Sequence, residues 1–530
     1  RALLVLLLAA AGIVCLWVGA LWARQRWLQG YYRELYRSEA ELRLCVRTST
    51  GPDEHPGANA AFRTRGTVGR DLSWGLALER DAGEPVLLDH VVGFTSWERG
   101  TADEGVAVVV GDLVGSWGQG LVLGRGGFGG TSRYPLAADR VRGYDGNSEW
   151  TARRGGAASV VRGRLRCEVV VAVTAFDATL EDGLVTSRRT SGLHRTESER
   201  AARGAQTEKL VAARVVARGG HWSLGASFAS TRFVPGFAEG DSERQRFRFR
   251  GEESALGSVD VRTGGRRWRL GAEVARDRDG AAAWLVGGRW RDDVIAVRAG
   301  VSFIGRDYWS PTGGGGPGAS DGSNGACGWL EVGVRRGRSW SLETSVAVSR
   351  KPWRTYHEPL PEGRRSVRGA LSWRLPADGR LKFEGRETCS EAREPSDGAT
   401  SVTRTRRASL TLDGPNGAPF VVKLLSARVT MDEQEKGTVS GIDLRFTSVF
   451  GSWALDGGVA VLSSRGTAPR MAHWTGGLPG TMGVTSWQPG LSWWLRLTGS
   501  TRPDWSPMVY VKGDGEVVRL GASLEVSRLL

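Results

Sequence analysis

The sequence predicts an all-β fold, a large antiparallel transmembrane β-barrel of about 18–26 strands behind an N-terminal apolar signal or anchor helix. Three observations predict it. Glycine supplies 76 of the 530 residues. Segments of about ten residues, enough for a tilted strand to cross a bilayer, alternate apolar and polar side chains. The connections between those segments carry turn chemistry.

Glycine in a helix costs about 1 kcal/mol relative to alanine, so a chain this rich in it is not mainly helical. Tight turns and crowded strand walls are its natural places. Basic residues number 72 against 57 acidic, a net charge of +15. Nearly all are arginine, since lysine stands only at Lys209, Lys351, Lys382, Lys423, Lys436 and Lys512. The arginines are spread along the chain, as codon usage would leave them, and an anionic partner is the functional alternative. The cysteines, Cys15, Cys45, Cys167, Cys327 and Cys389, form no C-x-x-C pair and no zinc spacing with histidine. No metal and no cofactor is expected.

Residues 2–22 are apolar without interruption. About 20 such residues can span a bilayer, and cleavage after a small residue near Ala20 or Ala23 would make them a signal. Residues 1–23 are read as signal peptide or anchor, 24–39 as linker and 40–530 as barrel.

Alternation carries the rest. In 266–275, Trp268, Leu270, Ala272 and Val274 oppose Arg267, Arg269, Gly271 and Glu273. In 221–230, Trp222, Leu224, Ala226 and Phe228 oppose Ser223, Gly225 and Ser227. The same holds over 294–303, where Arg298 sits on the polar face, and over 339–349, which Trp340 opens. The last segment sets Val518, Leu520, Ala522, Leu524 and Val526 against Arg519, Gly521, Ser523, Glu525 and Ser527. Such an ending resembles the assembly signal of outer-membrane proteins, although Leu530 is not aromatic. Trp222, Trp268 and Trp340 each begin an apolar face, where an interfacial aromatic girdle would place them. Short turns are expected at Asp279-Gly280, Arg218-Gly219-Gly220 and Asp514-Gly515, and long connections at 183–207, 305–326, 388–400 and 463–488. Short turns on one rim and long loops on the other is how outer-membrane barrels are built.

Two motifs invite chemistry. Gly124 to Gly129 spells G-x-G-x-x-G with Glu149 beyond it, but no helical stripe and no βαβ alternation follow, so a dinucleotide is excluded. The stretch His194 to Glu199 gathers base, hydroxyl and carboxylate types in one connection, read as a solvated loop or, alternatively, the centre of an outer-membrane hydrolase. No P-loop lysine, H-E-x-x-H or G-x-S-x-G occurs.

Several spaced blocks resemble one family. They are Gly111-Asp112, Trp117 to Leu123, Gly126 to Gly129, Ser148-Glu149, Arg154 to Ala158, Phe176, His194 to Thr196 with Glu199, Arg306 to Tyr308, Asn324-Gly325 and Pro352-Trp353. In that order they resemble the outer-membrane barrel region of bacterial proteins that carry a helix-hairpin-helix domain related to the competence DNA receptor. The resemblance implies a barrel and, through the family, DNA as a partner. The helix-hairpin-helix segments themselves find no place between Ala23 and the first strand candidate, Leu42–Val46.

The expectation is therefore an integral outer-membrane barrel of a Gram-negative bacterium, not an enzyme, acting as channel or docking component for hydrophilic, anionic solutes. DNA uptake is the alternative. Its partners would be outer-membrane lipid, an anionic solute or DNA, and a periplasmic protein. Arg267, Arg269, Arg298 and Arg519 would face the lumen, where they would favour anions. Gly111, Asp112, Gln119, Gly120, Gly126, Phe128 and Gly129 would form a constriction or inward-folded segment.

Overall fold

The computed structural model describes residues 39–50, 58–86, 88–101, 103–124, 139–146, 148–240, 242–313, 324–353, 363–393, 400–414, 420–432, 434–450, 452–466, 472–474, 484–486, 490–499, 505–514 and 517–529. The signal or anchor and nearly all of the linker lie outside them, as do Gly126, Phe128 and Gly129.

One sheet holds 27 strands. Three short ones, Arg140–Gly143, Ala178–Glu181 and Leu184–Arg188, lie off its main ladder, and the remaining 24 of the 27 each pair with two antiparallel neighbours. The first strand, Glu39–Thr50, pairs with the last, Val517–Leu529, from Glu39↔Leu529 to Thr50↔Val518. The ladder of neighbours thus returns to where it began. Its strands run from 9 residues (Leu72–Arg80) to 17 (Gln434–Phe450).

Burial inverts the rule for water-soluble proteins, in which large apolar side chains are hidden and charges exposed. On strand Leu165–Phe176, Val169, Val171 and Val173 are about half exposed, whereas Glu168, Val170 and Ala172 are buried. Its neighbour Gln206–Arg218 exposes Val211 and Val215 and buries Gln206, Glu208 and Arg214. The same exposed apolar band continues through Phe228, Val259, Val274, Val286 and Val301, and in the later strands through Val346, Leu371, Phe383, Ile442 and Val461. Polar and small residues share the inner face with apolar side chains that cluster with Trp117 and Leu121, among them Leu210, Leu256 and Leu285.

The connections sort by rim. Residues 69–71, 163–164, 219–221, 265–267, 292–294 and 337–339 turn at one end. The long connections that begin after Arg80, Ser116, Phe176 and Ile304 leave the strands at the other. Asp279-Gly280 departs from the expectation, because this short turn (Gly280, φ +96°) lies on the long-connection rim. Strands also outrun their predicted limits. Arg380–Arg393 and Trp453–Gly466 absorb the first residues of the loops expected at 388–400 and 463–488. A ladder is held by backbone hydrogen bonds, so it continues past the apolar belt where the side chains turn polar.

Candidate functional site

After strand Glu104–Ser116 the chain leaves the wall and folds across the inner face. Residues 117–124 form a tight turn, closed by Gly120 N to Trp117 O (2.8 Å) and Trp117 N to Leu123 O (2.8 Å). Gly118 and Gly120 carry φ of +57° and +93°, which glycine adopts without strain. Backbone amides outside helix and sheet need other partners when buried, and nearby carboxylates supply them. Glu273 accepts from Gln119 N (2.5 Å) and Leu121 N (3.2 Å). Asp139 accepts from Gly118 N (3.1 Å). Glu168 accepts from the Trp117 indole (2.8 Å) and from Val141 N (3.0 Å). From the next connection, Tyr308 donates to Leu121 O (3.0 Å), and Ser310 and Thr312 donate to Val122 O (3.2 and 2.7 Å). Trp117, Gln119, Leu121 and Val122 are wholly buried.

Around this turn the wall is charged and paired. Arg214 reaches Asp260 (2.6 Å), Asp139 (3.1 Å) and Ser227 (2.7 Å). Glu208, fully enclosed, joins Arg153 (2.5 Å) to Arg188 (2.9 Å), and Arg188 also lies over the rings of Phe176 and Phe233. Above Leu123 and Gly124, toward the long-connection rim, a cavity of about 220 Å³ is lined by Trp150, Arg153, Phe176, Arg188, Arg189 and Trp309.

The constriction candidates fall here in part. Gln119 and Gly120 belong to the inward turn. Gly111 (φ +115°) lets its strand pass against Gly93 and Phe94, and a Cβ there would strike the Gly93 carbonyl. Asp112 accepts Gly93 N (2.8 Å) and pairs with Arg154 (3.1 Å).

Of the lumen arginines, Arg267 stands exposed in the turn 265–267 ahead of strand Trp268–Asp277, its carbonyl accepting from Arg291 N (2.7 Å). Arg269 and Arg298 occupy the inner face and share a row with Arg289, which sequence reading missed: Arg269↔Arg289↔Arg298↔Glu331. Arg298 meets Glu331 at 3.5 Å. A second row, Arg368↔Arg386↔Arg407, runs across the later strands. Like charges directly opposite destabilise a sheet, so each row is a feature that packing alone would not select. Arg519 stands opposite Lys512 and Ser49 in register. Trp222, Trp268 and Trp340 all start strands at the short-turn rim, with Trp268 opposite Trp290 and Trp340 opposite Trp373.

The connection holding His194 is not a solvated loop. Ala178–Glu181 and Leu184–Arg188 pair as a hairpin, and Glu197–Ala202 is a helix with a Thr196–Glu199 capping box. That T-x-x-E spacing was the overlooked signal. His194 is buried, its ring hydrogen-bonded through Nδ1 to Asp89 (2.7 Å) and through Nε2 to Asp177 (2.7 Å), while its backbone N donates to Glu84 (3.0 Å). With both ring nitrogens already held by carboxylates, the ring is poorly placed to take a nucleophile's proton, which argues against the hydrolase. Burial works against the imidazolium, but the two aspartate hydrogen bonds outweigh it and raise the His194 pKa. Burial, reinforced by Asp89, Asp177 and Glu84, lifts the Glu149 carboxyl to about 8.

No family model and no curated protein sequence matches the chain. Among solved structures it is similar to the siderophore receptor PirA from Acinetobacter baumannii, at 9% identity and TM-score 0.42, covering 93% of this chain and 80% of that one. PirA from Pseudomonas aeruginosa gives 9%, 0.43, 93% and 81%. The copper transporter OprC gives 7%, 0.44, 93% and 80%. Scores this low carry no functional argument. Asp112 pairs with Arg154, Tyr308 bonds Leu121, and Asn324 exchanges hydrogen bonds with the Trp353 backbone (2.7 and 2.9 Å).

Proposed function

We propose that this chain is a transmembrane β-barrel of a Gram-negative outer membrane that docks or admits a hydrophilic anionic solute past an internal closure, residues 117–124. The reading is of a transport or receptor protein, not an enzyme. The observation that carries it is the inverted burial: an apolar outer band around a polar inner face that itself holds a folded-in turn. Closed barrels satisfy every backbone group without water, which the bilayer requires. The tryptophans at the short-turn rim suit a membrane interface, and the long connections suit the outer surface. The arginine rows below the closure, and Arg153, Arg188 and Arg189 above it, favour an anion. DNA as that anion rests on the family resemblance and has no support among the described residues.

Current recorded across a planar bilayer from the refolded chain tests this. The intact chain gives little steady conductance. A chain in which Gly-Ser replaces 117–124 gives discrete, anion-biased steps. Large steady steps from the intact chain, or a cation bias in the opened one, would sink the proposal.

A further inference from the structure

Three separate connections on the long-connection rim bring acids around one imidazole: 81–89 supplies Glu84 and Asp89, 144–152 supplies Glu149, and 177–205 supplies Asp177 and His194. The ligand atoms of Glu149, Asp177 and His194 lie within 4.8 Å of one another, as do those of Glu84, Asp89 and His194. Beside them is a cavity of about 220 Å³ whose lining includes Glu79, Asp81, Glu84, Asp89, His90 and Glu149.

Against these carboxylates stand His194, Arg203 near Asp89, Arg80, which donates to the Glu84 carbonyl, and His90, 3.6 Å from Glu149. Asp89 is almost fully enclosed, yet its Oδ1 accepts no hydrogen bond. Arg203 Nη2, 3.2 Å from that oxygen, donates to the Asp89 backbone carbonyl instead. The ion pair with Arg203 compensates this oxygen, so Asp89 is left to orient the ring rather than to take a cation.

The two edges of the imidazole differ. On the Nδ1 edge, Asp89 accepts the ring N–H, and Glu84 is already occupied by His194 N and Asp81 N. On the Nε2 edge stand Asp177, whose other oxygen accepts Gly204 N, and Glu149, pressed against Gly192. A histidine that ligates a metal through one nitrogen characteristically donates the other N–H to a carboxylate, which fixes tautomer and ring. We infer that His194 Nε2, Asp177 and Glu149 form a site for a divalent transition cation of the zinc or manganese class, with Asp89 orienting the imidazole from behind. Imidazole selects transition ions over calcium, and the carboxylates suit both. Binding displaces the proton between Nε2 and Asp177 and any proton on Glu149, so affinity falls as pH drops. The ion would tie three connections together at the rim. This site stands independently of what passes the closure.

The test is calorimetric titration of zinc chloride or manganese chloride into the untagged, chelator-stripped full chain in detergent, at two pH values. One equivalent binds with proton release, more weakly at the lower pH. Glu149→Gln and Asp177→Asn each weaken binding at least about 100-fold, and Asp89→Asn about 10–100-fold, while exposed Glu197→Gln leaves it unchanged. The cobalt-loaded chain shows visible bands that Glu149→Gln alters, a readout confined to chains whose strand content is intact by circular dichroism. Absence of saturable binding overturns the site. Equal weakening by Glu197→Gln reduces it to general electrostatics and also overturns it, and preference for calcium overturns the transition-ion assignment.

Discussion

The wall from Glu104–Ser116 to Ile295–Ile304 and the wall from Gly325–Arg336 onward share one strand plan but are filled differently. In the first, the inner face meets the turn 117–124, and Glu168, Glu208, Arg214, Asp260 and Glu273 are shut away from water. In the second, the corresponding ion pairs stay wet on one side: Arg445 beside Asp443 and Arg496 beside Asp456 keep about a quarter of their side chains exposed. Charges on a barrel's inner wall are therefore ordinary lining until something folds over them. Burial then makes their pairing compulsory, because a lone charge without water is far costlier than a lone charge in a wet lumen.

The largest test of this contrast is loss of one buried acid. Glu208→Ala strands both Arg153 and Arg188 and should cost about 3–5 kcal/mol, whereas Asp456→Ala strands Arg496 alone and should cost less, about 1–3 kcal/mol. Urea unfolding followed by tryptophan fluorescence in lipid vesicles compares them, and equal losses would dissolve the distinction.

Next come two glycines with nearly the same backbone. Gly118 (φ +57°) would bring a Cβ to 2.8 Å from the Glu273 carboxyl carbon, while Gly337 (φ +55°) has nothing within 4 Å. Alanine at either costs about 1–2 kcal/mol for the left-handed conformation. Only Gly118→Ala should also loosen the closure and raise conductance. A rise in both variants would mean the turn at 117–124 is not what blocks current.

Smaller in energy is relief of the arginine rows. Arg289→Ala and Arg386→Ala should each leave stability unchanged or raise it by roughly 0.2–1 kcal/mol, since like charges face each other across the strands. In the opened chain both should reduce anion preference, read as a shift in reversal potential. Unchanged selectivity would make the rows passive.

The last effect concerns pH at the rim and is read locally rather than as global stability. Glu149 titrates near 8 in the folded chain against 4.5 as its ordinary value, so the folded state favours its protonated form. The stability this gives is full below pH 4.5 and is lost as pH rises through 8. His194, with a raised pKa, acts in the same sense above 6.5. Hydrogen exchange in 81–89 and 177–205 should quicken from pH 5 to pH 8.5 more than its intrinsic rate does, and Glu149→Gln should flatten the excess.

Period-two alternation made the wall legible, because a strand's faces are written directly in the order of its residues. The inward turn was half legible: Trp117-Gly118-Gln119-Gly120 is too glycine-rich to be a good strand, but its anchor Glu273 lies 154 residues away from Gln119. Arg289 escaped because its strand, Ala282–Arg291, carries Leu285 on the inner face, buried against the closure, so both faces read as apolar. The acids around His194 come from three connections, and no spacing rule joins residues that only the ring brings together.

The pairing of Glu39–Thr50 with Val517–Leu529 has a consequence for assembly. This seam joins residues hundreds of positions apart, and it cannot form until the chain has been made through Val517–Leu529. The folded-in turn follows the fifth strand, so it must be gathered inside while the sheet is still open. Until the seam zips, two bare strand edges face their surroundings and invite pairing with other chains. The barrel's exposure to misassembly is thus set by how long the later, less packed wall takes to reach the first strand, and a chaperone that shields those two edges would protect every other contact in the molecule.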